Sequence, residues 1–422
     1  MTRKRFRVNW FLVFVLLILI FLGVYVNLVV VPTIPPPFVP TPTPTRSPES
    51  FVTEAKKMFD EGNLSQAIEL YKEALRSNPQ DDAIYVAMAQ VQVFAGQYAD
   101  AQDSAEKAIL LNSNNSMAHA VRAWALDFQG DFIGAKDSIE RALNLDDKNG
   151  IAHAYYVEIL VDGYQDGTGG FDDLTKAADE SKVALSLAPN TIEANRARGY
   201  ILEATQNYEE AIQYYLAATE INDKIPDLHL ALGRNYRYLG VYDTAIDEFT
   251  RANALNPSDP TPDLLISRTY ASIGEFAKAA QFAQSAVRDA PTDPSLRGNY
   301  GVMLYSNVDW VEAANQLGLA VNGGRTEDGQ VIEKIPLTPE LRVLEYYYTY
   351  GLALANLNRC GEALRIAQQI LGRVPGDQVA VAKANEIIGI CENNLSVTPT
   401  PAAGTPSLTD TPAPTETPTP VP

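Results

Sequence analysis

PDLHLALGRNYRYLGVYDTAIDEFTRANALNPSD, residues 226–259, contains two apolar helical patterns separated by a turn at Leu239-Gly240-Val241. Stepping outward from it by 34 residues, with one insertion allowed at each of two places, returns Ala67, Ala101, Ala135, Ala177, Ala211, Ala245, Ala279, Ala313 and Ala363 at one slot. A second slot reads Ala74, Ala108, Ala142, Ala184, Ala218, Ala252, Ala286 and Ala320, and then Ile370. Small residues held in register for about 300 residues mark places where helices approach closely in a repeating array, because loops of free length would lose the register.

Within the quoted unit, His229, Leu232, Gly233 and Tyr236, followed by Ala245, Phe249, Ala252 and Pro257, resemble the tetratricopeptide repeat, with His in the usual Trp place. The resemblance covers residues 48–395 and implies an all-α, right-handed superhelical solenoid of about nine helix-turn-helix units. The units are 48–81, 82–115, 116–149, 150–191, 192–225, 226–259, 260–293, 294–343 and 344–377, so the array spans 49–377 once the stalk residue at its start is set aside. An amphipathic helix over 378–395 resembles the family's capping helix, which covers the exposed end of the stack.

The flanks read differently. Residues 1–9 carry Arg3, Lys4, Arg5 and Arg7, and residues 10–31 carry no charge. At 1.5 Å per residue that run reaches roughly 33 Å, enough for a hydrocarbon core of about 30 Å. It is longer than a signal-peptide core and no small-x-small cleavage site follows, so an uncleaved transmembrane helix is expected. The basic residues lie on its N-terminal side, which predicts a single-pass cell-membrane protein with a cytoplasmic N-terminus and an extracytoplasmic array. Residues 32–48 form a Pro/Thr-rich stalk and residues 396–422 a Thr/Pro-rich disordered tail; composition alone does not separate bare from sugar-bearing tracts. The net charge of −19 argues against nucleic acid as a partner, since phosphate binding needs basic clusters.

Two insertions break the period. Eight residues enter the fourth unit around 162–173 and sixteen enter the eighth within 322–343, both expected to lengthen loops. Asp328-Gly329 before Val331 and Ile332 suggests a small hairpin. The Asp162, Asp166, Asp172 and Asp173 set among glycines lacks the spacing of an EF-hand and reads as a solvated loop.

No cofactor, metal site or catalytic residue is expected. His119, His153 and His229 share the fourth slot of their units with Phe51, Tyr85 and Tyr347, which suggests a flat ring packed between helices rather than a metal site. Cys360 and Cys391 are the only cysteines. They fall on the last second-helix and on the capping helix, which the resemblance makes antiparallel neighbours. They are either a disulfide, worth roughly 3 kcal/mol outside the cytoplasm, or two separate buried thiols.

The resemblance also implies that first helices line the concave face at slots 2, 5, 9, 12 and 13. Those slots hold Val86, Val93, Phe94, Trp124 and Phe128 in the N-terminal units, then Arg196, Tyr200, Arg234, Arg237, Tyr238 and Arg268. The arginines suit carboxylates of a protein or peptide partner or an acidic glycan, although acidic neighbours could equally pair with them. The family's carboxylate-clamp set of Lys, Asn and Arg is not matched. The expected role is therefore a membrane-anchored scaffold for a protein or peptide ligand in cell-envelope assembly. The rivals are a cell-surface glycan-binding module and a glycan-processing enzyme using carboxylates among Asp127, Glu158, Asp162 and Glu203.

Overall fold

The computed structural model describes residues 9–30 and 46–397; the readings of the basic N-terminal segment, the stalk up to residue 45 and the tail from residue 398 lie outside the described residues. Helix α1 (Trp10–Tyr25) continues as a π-turn over Val26–Val30. Its Trp10–Val29 stretch is long and apolar enough to cross a membrane, a property signal sequences share.

The array follows as nine antiparallel helix pairs: α2 (Pro48–Asp60) with α3 (Leu64–Ser77), α4 (Asp82–Phe94) with α5 (Tyr98–Leu111), α6 (Ser116–Asp127) with α7 (Phe132–Leu145), α8 (Gly150–Asp166) with α9 (Phe171–Leu187), and α10 (Ile192–Ala204) with α11 (Tyr208–Ile221). Then come α12 (Pro226–Tyr238) with α13 (Tyr242–Leu255), α14 (Thr261–Ser272) with α15 (Phe276–Asp289), α16 (Pro294–Ser306) with α17 (Trp310–Asn322), and α18 (Leu341–Asn356) with α19 (Cys360–Arg373). Helix α20 (Gln378–Val397) covers the end.

Local chemistry explains why each unit looks like the next. All nine alanines of the first slot are fully buried, as are seven of the eight in the second, with Ala286 at 1%. A small eighth residue also faces a large one across the pair: a Cβ on Gly233 would lie 2.5 Å from the Phe249 ring. The final residue of a unit caps the next helix, since Asp81, Asn115, Asn149, Thr191 and Asp293 each accept a backbone N–H from its first turn.

The fourth slot does more than pack a ring. His119, His153 and His229 place Nε2 at 3.0–3.1 Å from the carbonyls of Ser113, Asp147 and Asp223. Asn195 and Arg297 donate to the carbonyls of Pro189 and Pro291 at 2.9 and 2.7 Å. In these five units the acceptor is six residues upstream, so a side-chain donor clips the unit to the orphan carbonyls ending its predecessor. His153 and His229 also put Nδ1 on Glu180 and Glu248, at 2.5 and 2.6 Å. Burial alone would lower these two rings, but the carboxylate and carbonyl contacts outweigh it and hold both above the ordinary histidine value. His119 has Ser138 at the position corresponding to those carboxylates, and burial holds its ring below that value.

The insertion in the fourth unit is absorbed by helix rather than loop, contrary to expectation. Helices α8 and α9 have 17 residues each, against 12–14 in the first seven other pairs that flank them, and only residues 167–170 connect them. Tyr155, Ile159, Leu160 and Leu174 give the longer helices buried apolar faces. Gly167 supplies a left-handed stop, and Asp173 accepts the Gly170 N–H at the next start. The later insertion does remain between helices. It forms the two-stranded hairpin β1 (Gly324–Arg325) with β2 (Val331–Ile332), and is tied back where Ile335 N–H donates to Ala320 and Tyr347 O–H to Ile335. Cys360 and Cys391 form a disulfide between α19 and α20, with Cα atoms 5.4 Å apart.

The array also returns on itself. The Asn222 side-chain amide donates to the Phe59 carbonyl at 3.4 Å, and Lys224 packs over Gly62. Phe59 and Phe94 join Ile225, Leu228 and Leu232 in one apolar cluster. The first unit thus meets the junction of the fifth and sixth, closing the inner face between them.

Candidate functional site

Closure turns the expected open concave face of the first units into a partly enclosed interior. Phe59, Phe94 and Trp124 form a chain of rings with centroids 5.5 and 5.0 Å apart, and Tyr155 stacks on Trp124 at 4.3 Å. Trp124 is fully buried and donates its indole N–H to Glu158 at 2.8 Å.

Arg196 lies on the other side of this carboxylate. It is 6% exposed, holds Glu158 through two nitrogens, donates to Asp227 at 3.0 Å and rests 4.8 Å from the Trp124 ring centre. Withdrawing Arg196 to serve a partner would leave Glu158 buried and unpaired, at a cost of about 3–5 kcal/mol. Arg234 is likewise engaged, with Nε 2.8 Å from Glu203, whose other oxygen accepts the Tyr215 O–H at 2.9 Å. Tyr200 donates its hydroxyl to Asp162.

These groups line a cavity of about 520 Å³ whose rim carries Phe128 and Tyr238. Phe128 is stacked on Tyr98 and Tyr238 on Tyr208, with centroids 4.7 and 4.8 Å apart. Asp127 lies behind Asp162, and no N–H or O–H of another group donates to its carboxylate oxygens. Burial, then the nearby Asp162 and Glu158 charges, hold Asp127 well above the usual carboxylate range. A hydrogen bond between Asp127 and Asp162 therefore requires a proton on one of them. Burial raises Glu158 to about 7 despite the opposing pull of Arg196.

Further along the inner face the sign reverses. Among the described residues, neither Arg237 nor Arg268 forms an ion pair with a carboxylate. Arg237 leaves Nε buried without an acceptor and lies 5.5 Å from the Tyr238 ring centre. Arg268 donates to Asn299 at 3.3 Å and also contacts Tyr346. Burial, then the Arg342 and Arg237 charges, push Arg268 below the ordinary arginine value.

The expected site residues thus divide by environment. Trp124 and Arg196 belong to the core, Phe94, Tyr200, Arg234, Arg237 and Arg268 are partly covered, and Tyr238 and Phe128 are exposed. The four carboxylates considered for catalysis gather around this interior. Tyr208 and Tyr215 come from second helices and were not anticipated there, whereas Asp227 occupies slot 2 of the sixth unit, an expected inward slot whose acidic residue was not singled out. Among the described residues, no group of three or more His, Cys, Asp or Glu is arranged to hold a metal ion.

Helix pairs in 34-residue register, buried alanine slots and an inner face built from first helices define a helical-repeat solenoid. Tetratricopeptide repeat family models match residues 58–125, 193–225 and 230–294, so the chain carries tetratricopeptide repeats. No curated protein matches it. Similar solved structures include PilW, described as a widely conserved type IV pilus biogenesis factor, at 22% identity and TM-score 0.42, covering 48% of this chain and 90% of that one. A tetratricopeptide repeat protein from Parabacteroides merdae is 15% identical at TM-score 0.40, covering 61% and 98% of the two chains. YrrB, described as having an unusual peptide-binding site, is 22% identical at TM-score 0.27, covering 44% and 92%.

Proposed function

We propose that the chain is a membrane-anchored, extracytoplasmic scaffold that holds an acidic protein or peptide segment on the inner face of its sixth to ninth units, in cell-envelope assembly. The observation that carries this reading is the Arg237–Arg268 pair, which lacks acidic partners among the described residues of a chain with net charge −19. A carboxylate entering there would meet two guanidinium groups in a partly desolvated place, where charge-assisted hydrogen bonds are strong. Tyr238, its ring centre 5.5 Å from the Arg237 guanidinium, extends the surface with an exposed ring. Anchoring is supported by the apolar Trp10–Val29 helix and the basic residues before it.

A catalytic role receives less support. Glu158, Asp162 and Glu203 are each occupied by an arginine or tyrosine donor, whereas glycoside hydrolysis needs two carboxyl groups facing one bond. In-cell crosslinking of the full-length protein, compared with Arg237→Ala/Arg268→Ala, tests the scaffold reading. One envelope protein should be captured through an acidic segment and lost in the double variant, with the unfolding midpoint unchanged. Equal capture by both proteins would remove the arginine face from the site.

A further inference from the structure

We propose that the cavity between the third and sixth units is a second binding site, for an aliphatic ammonium group carried on a chain of about lysine side-chain length. It lies beside the arginine face, meeting it at Tyr238, and is opposite in sign.

Its lining holds four carboxylates, Glu158, Asp162, Glu203 and Asp227, against two guanidinium groups. Arg196 engages Glu158 and Asp227, and Arg234 engages Glu203. Asp162 receives the neutral Tyr200 O–H and lies within hydrogen-bonding reach of the Asp127 carboxyl. Behind it Asp127, 3% exposed, has two carboxylate oxygens that accept from no N–H or O–H donor. Among the described residues, neither of these two carboxyl groups forms an ion pair with a cation. Burial first, and then neighbouring carboxylate charges, raise the proton affinities of Asp127, Asp162 and Glu158, against the opposing pull of Arg196.

An ammonium group supplies three donors and one positive charge, which matches that deficit without displacing either arginine. An anion would be repelled. The space of about 520 Å³ is far larger than an ammonium ion and falls within the range of small-molecule pockets, so the charge must arrive on a longer body. The stacked Tyr208 and Tyr238 rings and the partly exposed Phe128 offer faces for methylenes and for cation–π contact on the way in. A lysine side chain of a partner and a free diamine share this chemistry.

Calorimetry on the full-length protein in detergent micelles, using 1,5-diaminopentane, Nα-acetyl-lysine amide and 1,5-pentanediol, separates the outcomes. The two amines should bind and the diol should not, and Asp162→Asn should weaken the amines by about tenfold. Asparagine can still accept the Tyr200 hydroxyl; should Asp162→Asn fail to fold, Asp227→Asn, at a half-exposed carboxylate of the same lining, provides the comparison. A tighter diamine would identify a free small molecule as the source, and a tighter lysine amide a protein side chain. Absence of amine binding, equal binding of the diol, or undiminished affinity in the folded variant would overturn the proposal. None of these outcomes depends on Arg237 or Arg268.

Discussion

At the scale of single residues, repetition shows best where one unit departs from the rest. The turn between paired helices needs a left-handed residue, and glycine provides it at 62, 96, 130, 240 and 274. The fifth, eighth and ninth units place Gln206, Val308 and Asn358 there, and Val308, at φ 66° and 67% exposed, is the β-branched one. A β-branched residue in this region is strained by about 1–2 kcal/mol, while glycine costs roughly 0.5–1 kcal/mol in chain entropy. Val308→Gly should therefore raise the unfolding midpoint modestly, by about 1 kcal/mol of stability or less, and a chemical denaturation curve would show it. The fourth slot teaches a related lesson. Its mixture of residues looks like tolerance of any flat group, yet in five units the His, Asn or Arg there is a donor reaching a carbonyl six residues upstream, and Tyr347 reaches one twelve upstream. That rule became visible only with the backbone path, because the acceptor belongs to the main chain and leaves no mark in residue identities.

At the scale of elements, period and boundaries were legible because alanine at two slots and glycine or proline at the ends are local requirements. Placement of the fourth-unit insertion was not. Its glycines suggested a long loop, but the apolar residues beside them find neighbours to pack on, and burial of α8 and α9 prevails over the local tendency to break. The Cys360–Cys391 bridge could be located to two helices but not distinguished from separate thiols until their backbones were seen to approach. It closes a loop with sequence separation 31 around the end of the stack, worth about 3–4 kcal/mol in the chain-entropy model. Cys391→Ala should increase hydrogen exchange in α19 and α20 while leaving α4 to α7 unchanged. Uniform loosening of the whole array would mean that the bridge supports more than its own end.

For the whole molecule, the contact between the first unit and the fifth–sixth junction lies beyond any nearest-neighbour reading of a repeat array. Each unit specifies a small rotation relative to the next, and the sum of those rotations decides whether distant units meet. Small errors in each step accumulate, so sequence alone indicated an inner face but not that its first half would be enclosed. The arginines illustrate the consequence: all four occupied the expected face, but enclosure and neighbouring carboxylates divided them into two engaged and two available. Phe59→Ala should raise hydrogen exchange both around residues 55–62 and around residues 222–230, although the two segments are remote in sequence. A change confined to the first segment would show that the ring closure contributes little to stability.

That closure also orders events during synthesis. The Phe59 carbonyl and its partner Asn222 are separated by 163 positions, and at ribosomal speeds of about 5–20 residues per second the partner emerges roughly 10–30 s later. Throughout that interval the nascent chain presents Phe59, Phe94 and the Trp124 edge without their eventual cover. A chain bound for the far side of a membrane would thus pass through its most adhesive period while still being made, and assistance from a chaperone would matter most before residue 222 appears.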